Sequence, residues 1–246
     1  MKNIQDALDH YGVWKEVIRE HLTNMNPDWK QVAVVKNEGN WGYDIGLPGR
    51  WDLRVEVDDY CALQMDTRHD QMFNNTATGL PARIAFYPNG ELRSEDCYVC
   101  GVRNNPAPLK PACLTYYRDG NKTIKIAEFY ENGLRQNPQP LQPAIVCFHD
   151  NGTVSKEAHF ISGKGCNLPD GTPQTITYGE DGNCKMGNFF FGRTVYGEEL
   201  EQIVMSVRLI RAKMLVQDKT DIIGLAGGWN NRQHSSAAAT IQTSRR

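Results

Sequence analysis

The sequence predicts a mainly β protein, an elongated antiparallel sheet of repeated β-hairpins with helices at its N- and C-terminal ends. Three observations carry that expectation. Pro81, Pro111, Pro143 and Pro173 each stand nine residues before a glycine (Gly90, Gly120, Gly152, Gly182), so one unit recurs at intervals of 30, 32 and 30. Five positions after each proline comes an aromatic (Phe86, Tyr116, Phe148, Tyr178). A second glycine follows (Gly101, Gly133, Gly163, Gly192), always three residues after Tyr98, Tyr130, Phe160 or Phe189. Periods of this size mark a repeat architecture, in which each unit buries its apolar face against its neighbours.

The first glycine of each unit follows Asn89, Asp119, Asn151 or Asp181. Asn-Gly and Asp-Gly between apolar-containing runs predict a hairpin closed by a type I′ turn, which needs positive φ at both central residues. Each unit therefore reads as one hairpin. Along its first strand alternate residues are apolar: Ala82, Ile84, Phe86; Ala112, Leu114, Tyr116; Ala144, Val146, Phe148; and, with one polar lapse, Gln174, Ile176, Tyr178. That period of two defines a buried face. Proline at the strand start costs no ladder donor. Arg83, Tyr87, Cys113, Tyr117, Thr175, Thr177 and His149 fall on the opposite, wetter face. Tyrosine on such a face offers large contact area at small entropic cost. Arg83, Tyr87, Tyr98, Tyr117, Tyr130 and His149 are accordingly the candidate binding residues.

These units resemble the MORN-like repeats of bacterial and viral proteins, in which a strand of the type P-A-x-I-x-F/Y-x-N-G leads into a second strand ending in Y-x-x-G. The resemblance covers Pro81 to Gly101, Pro111 to Gly133 and Pro143 to Gly163, with Pro173 to Gly192 a poorer copy. The units here are longer than the usual MORN unit, and proline-rich links such as Asn104-Asn105-Pro106-Ala107-Pro108 join them. The resemblance implies a binding role. Related bacterial repeat proteins are described as antitoxin-like and phages carry similar genes, so it implies an inhibitor that neutralises a toxin, nuclease or defence enzyme.

The flanks complete the expected layout. Ile4, Ala7, Leu8, Tyr11, Trp14, Val17, Ile18 and Leu22 fall at helical spacing, so residues 3–24 read as one or two helices that Gly12 breaks or bends. Residues 31–36 and 51–57 read as strands, the latter belonging to a degenerate first repeat, and residues 66–78 as a loop. After the array, residues 198–218 form a helix with Leu200, Ile203, Val204, Val207, Ile210 and Met214 on one face and acidic residues in its first turn. Four regions result: an N-terminal helical and mixed α/β cap (1–78), the hairpin array (79–195), a C-terminal helix and cap (196–233) and a disordered tail (234–246).

Composition bounds the function. The 246 residues carry a formal charge of −2, which gives no global attraction to nucleic acid or to an anionic membrane. No run is long enough to span a bilayer and the start lacks a signal-like apolar stretch, so a cytoplasmic location is expected, the host cytoplasm if the gene is a phage's. Seven scattered cysteines fit a reducing compartment better than a disulfide framework.

Motifs for chemistry are sparse. Cys97-Tyr98-Val99-Cys100 is a C-x-x-C without the second ligand pair that zinc needs, and on a regular strand its cysteines point to opposite faces. His21-Leu22-Thr23 lacks a matching second motif, Asp58-Asp59 reads as a turn, and the glycine clusters match no phosphate-cradling loop. No cofactor or metal is expected. The reading is a non-catalytic protein-binding protein, pairing as a homodimer through the C-terminal helix or a sheet edge. The competing classes are an enzyme with a site near Trp41, Tyr43, Asp44, Trp51 and Asp52, and a sponge for a small anionic ligand.

Overall fold

The computed structural model describes residues 4–37, 42–60, 62–76, 78–190 and 192–217. Thirteen strands follow one another in chain order across one antiparallel sheet, from Val34–Asn37 at one edge to Thr194–Tyr196 at the other. Helices cover both ends of the same face. Ile84 and Phe86 of the first unit pack in the cluster that holds Leu8, Trp14, Ile18 and Leu22. Ile176 and Tyr178, their counterparts in the fourth unit, pack with Leu200 and Val204. Between them the cluster of Ala127, Val146, Phe148, Leu114, Ile124 and Val154 consists of sheet residues alone.

The N-terminal stripe folds as Ile4–His10, a 3₁₀ turn Gly12–Trp14 and Lys15–Met25, with Gly12 at φ +51° making the break. Leu8, Ile18 and Leu22 are completely buried, each contributing about 1.5–3 kcal/mol of transfer free energy. His21 is buried with them, its Nε2 2.7 Å from Thr67 Oγ1, and burial lowers its pKa to about 4. Below the ordinary value near 6.5 the unfolded chain takes up a proton that folded His21 refuses. Stability is therefore expected to fall by about 3 kcal/mol as the pH drops from 6.5 to 4. Urea titrations across that range check it: His21→Gln should flatten the slope, and an unchanged slope would refute the assignment.

Two segments differ from the sequence expectation. Residues 31–36 were expected as one strand, but Trp29–Val32 is a helical turn and the strand is Val34–Asn37. Trp29 is what decides it, buried in the helical cluster with its indole N–H donating to Thr23. Residues 66–78 hold a strand end rather than a loop: Leu63–His69 pairs with Trp51–Val57, then turns back into Met72–Phe73. Polar Asp66 and Thr67 hid this strand, yet both are buried because each has a partner, Arg83 and His21.

Each of the first three units contains two hairpins, not one. The long hairpins, Arg83–Phe86 with Leu92–Asp96, Cys113–Tyr116 with Ile124–Glu128 and Ile145–Phe148 with Val154–Ala158, build the main sheet, as does Thr175–Tyr178 with Cys184–Asn188 in the fourth. Short hairpins then branch off as separate two-stranded sheets: Tyr98–Val99 with Val102–Arg103, Tyr130–Glu131 with Leu134–Arg135, and Phe160–Ile161 with Lys164–Gly165. In the fourth unit Thr194–Tyr196 returns to the main sheet and leads into the helix Gly197–Gln217.

The turn types are also redistributed. In the long hairpins the glycine has positive φ but the Asn or Asp before it does not, and the longer second turn adds Lys122; in the first, Gly90 N–H donates to Tyr87 and Tyr87 N–H to Glu91, a three-residue loop with glycine in the left-handed position. Asn89 instead accepts from the Glu91 N–H. The I′ turns sit in the short hairpins, where Cys100-Gly101, Asn132-Gly133 and Ser162-Gly163 have positive φ at both positions. The 32-residue interval arises in the second unit's long turn, where Tyr117 N–H reaches Thr123 rather than a residue four along.

The C-terminal helix seats closely. A Cβ on Gly187 would lie 2.7 Å from Leu200 Cδ1, so the other units' Glu95, Ala127 and Glu157 give way to glycine where the helix docks. Met205 and Leu209 of this helix face solvent. Ile210, Met214 and the regions at 218–233 and 234–246 lie outside the residues whose side chains are described.

Candidate functional site

The six candidate residues lie toward the sheet face away from the helices, along two opposite borders. Arg83, Tyr98 and Tyr130 belong to the border made by the short hairpins; Tyr87, Tyr117 and His149 belong to the border near the long turns.

On the first border cations and rings alternate. Arg103 lies over the rings of both Tyr98 (5.6 Å) and Tyr130 (5.1 Å), and Arg135 over both Tyr130 (5.9 Å) and Phe160 (5.7 Å). Arg83 stacks on Phe73, which in turn contacts Tyr98. Each guanidinium also meets a carboxylate: Arg83 with Asp66, Arg103 with Asp96, Arg135 with Glu128, at 2.8–2.9 Å. Burial opposes the charge of Arg103, but the Asp96 carboxylate and the Tyr130 hydroxyl outweigh it and raise its pKa. The pairs continue into the N-terminal strands, where Lys36, Asp44, Arg54, Asp66, Arg83 and Asp96 are successive cross-strand partners of alternating sign. Opposite charges directly across a ladder stabilise it.

The ladder ends by replacing both partners at once. Ala158 stands where Asp96 and Glu128 stand, and Gly165 where Arg103 and Arg135 stand. The polar lapse at Gln174 has its reason here, since a Cβ on Gly165 would overlap the Gln174 amide.

On the second border each side chain fastens its unit to the next. Tyr87 donates to the carbonyl of Tyr116 and Tyr117 to that of Phe148, while His149 Nε2 lies 3.2 Å from the carbonyl of Tyr178. Arg118 lies over Tyr87 and Lys125 over Tyr117, at 6.0 and 5.4 Å.

Sequence reasoning missed a third row. Alternation puts Tyr98 and Arg103 on the inner side of their short hairpin and the closing pair Val99 and Val102 on its outer side. The same outer side holds His69 and Met72, Glu131 and Leu134, and Ile161 and Lys164. Gly101, Gly133 and Gly163 abut Met72, Val102 and Leu134 respectively, so the hairpins stack into one ridge. The signal was present in the residues two before and one after Gly101, Gly133 and Gly163, where Val99, Val102, Leu134 and Ile161 are aliphatic beside a tight turn.

The remaining motifs resolve locally. Cys97 is buried, and burial pushes its thiol up to about 11, whereas Cys100 sits exposed in the turn. Among the described residues no group of three His, Cys, Asp or Glu side chains is placed to hold a metal ion. Asp58 accepts the N–H groups of Tyr60 and Ala62 and so closes a turn. Tyr43 is buried beneath the N-terminal helices, while Asp44 and Asp52 are on strands whose alternation turns them to the other face; Trp41 lies outside the described residues. Among the described residues no helix is long and apolar enough to cross a membrane.

Fold and rows together define a β-hairpin repeat protein with helical ends. No protein-family model and no curated protein matches the chain.

Proposed function

We propose that this is a non-catalytic repeat protein that acts by occupying the surface of a protein partner. The observation that carries the reading is the outer ridge: Met72, Val99, Val102, Leu134 and Ile161 stand side by side and each is 42–50% exposed. Contiguous apolar side chains at the surface mark interaction sites, and Glu131 and Lys164, the cross-strand partners of Leu134 and Ile161, add charge within the same row. The short hairpins hold the ridge rigid from below through the Arg–aromatic ladder. The MORN-like resemblance supports the same reading and suggests its concrete form, a bacterial or phage inhibitor that neutralises an enzyme or defence protein.

Pull-down from host lysate tests it. The native chain is expected to recover one stoichiometric protein, and Val102→Lys combined with Leu134→Lys to lose it at an unchanged melting temperature. Equal recovery by both, or no partner for the native chain, would count against the ridge.

A further inference from the structure

We infer that the border of Tyr87, Tyr117 and His149 is a second binding site, for an extended acidic peptide segment laid across the strands. Its rings are held by hydrogen bonds to the next unit's backbone and recur once per unit. One unit is two strands, so the pitch is about 10 Å. Cations accompany them: Arg118 over Tyr87, Lys125 over Tyr117, and Lys156 on the strand paired with Cys147, two residues from His149. All three cations are exposed.

Their pairing sets this border apart. Arg83, Arg103 and Arg135 on the opposite border are neutralised by Asp66, Asp96 and Glu128, whereas among the described residues Arg118, Lys125 and Lys156 make no ion pair. The nearby Asp119 is engaged by the turn N–H groups of Asn121 and Thr123, whereas Asp150, the third unit's counterpart of Arg118, adds to burial in raising the pKa of Tyr117, so the strip carries a carboxylate of its own beside its three unpaired cations. Charge complementarity therefore calls for carboxylates arriving from outside.

Spacing selects the form of the ligand. A chain in the polyproline II form has three residues per turn and rises about 3.1 Å per residue, so acidic residues at every third position face one side at intervals of about 9 Å, close to the unit pitch. Nucleic acid fits less well. The ring faces on which bases would stack are already covered by Arg118 and Lys125, and the net charge of −2 supplies no steering. The site is separate from the aliphatic ridge and does not depend on it.

Fluorescence anisotropy at physiological salt tests the inference with three labelled probes. They are a twelve-residue Glu/Ser/Gly peptide with Glu at every third position, a peptide of the same composition with its glutamates contiguous, and a thymidine oligonucleotide. The spaced peptide is expected to bind about tenfold more tightly than the contiguous one. Arg118→Glu with Lys125→Glu and Lys156→Glu should weaken it by about tenfold or more, and the milder Lys125→Gln with Lys156→Gln should weaken it in the same direction, both at unchanged melting temperature. The inference is overturned by no binding of the spaced peptide, by equal affinity for the two peptides, by variants that bind as the native chain does, or by preference for the oligonucleotide.

Discussion

Replacing Asn75 by alanine is expected to destabilise the protein by about 2–4 kcal/mol. Its Oδ1 accepts two backbone N–H groups that close a unit, those of Ala82 (3.0 Å) and Tyr98 (2.9 Å). Ala82 is completely buried, so alanine would leave its donor without an acceptor or a water to replace it. Asn75→Asp keeps the oxygen and is expected to cost less than about 1 kcal/mol. Asn105 and Asn137 bind the N–H groups of Tyr130 and Phe160 in the same way, and Asn167 those of Gln174 and Phe190. Since Asn105 and Asn137 accept one such N–H each where Asn75 accepts two, their alanine variants should lose about half as much. Urea denaturation of Asn75→Ala, Asn75→Asp and Asn137→Ala decides the matter; equal losses for Ala and Asp at position 75 would dismiss the acceptor role.

Arg103→Ala is expected to cost about 3–5 kcal/mol, and a second substitution, Asp96→Ala, to restore most of it. Asp96 is 6% exposed and Arg103 is its guanidinium partner, at 2.9 Å. Removing the cation alone strands a buried carboxylate and leaves the Tyr98 and Tyr130 rings without their shared contact. Removing both reproduces what the third unit already has in Ala158 and Gly165. A double-mutant cycle by urea denaturation measures the coupling. Additive losses would mean that Arg103 acts through its stem packing on the rings rather than through its charge.

Much of the architecture was legible because it depends on spacing. A proline, an aromatic and a glycine at fixed offsets can only be satisfied by a chain that reverses at the same place in every unit. The N-terminal and C-terminal helical stripes were legible for the same reason. The short hairpins were less so, since each contributes two residues per strand, too few for a period to show. The repeated Asn75, Asn105, Asn137 and Asn167, each six residues before its proline, stood in plain view. Asparagine in a proline-rich link reads as a turn former, and nothing local shows that its side chain closes a hairpin more than twenty residues later.

The candidate residues divide along the same line. Sequence alone assigned Arg83, Tyr87, Tyr117 and His149 to the face opposite the alternating apolar residues, because alternation along one strand is a local property. Only the tertiary structure separated them into two borders and set Arg103 and Arg135 between successive rings, because those neighbours come from different units and meet only when the units stack. It also placed Met72, Val99, Val102, Leu134 and Ile161 on one ridge. What the sequence by itself determined is the long hairpin of each unit, its period and the helices at the two ends. Which charges are neutralised within the protein and which face outward was decided by the tertiary structure, since Asp66 meets Arg83 only when their two strands pair, and Asp96 and Glu128 meet Arg103 and Arg135 only when the short hairpin folds back seven positions later.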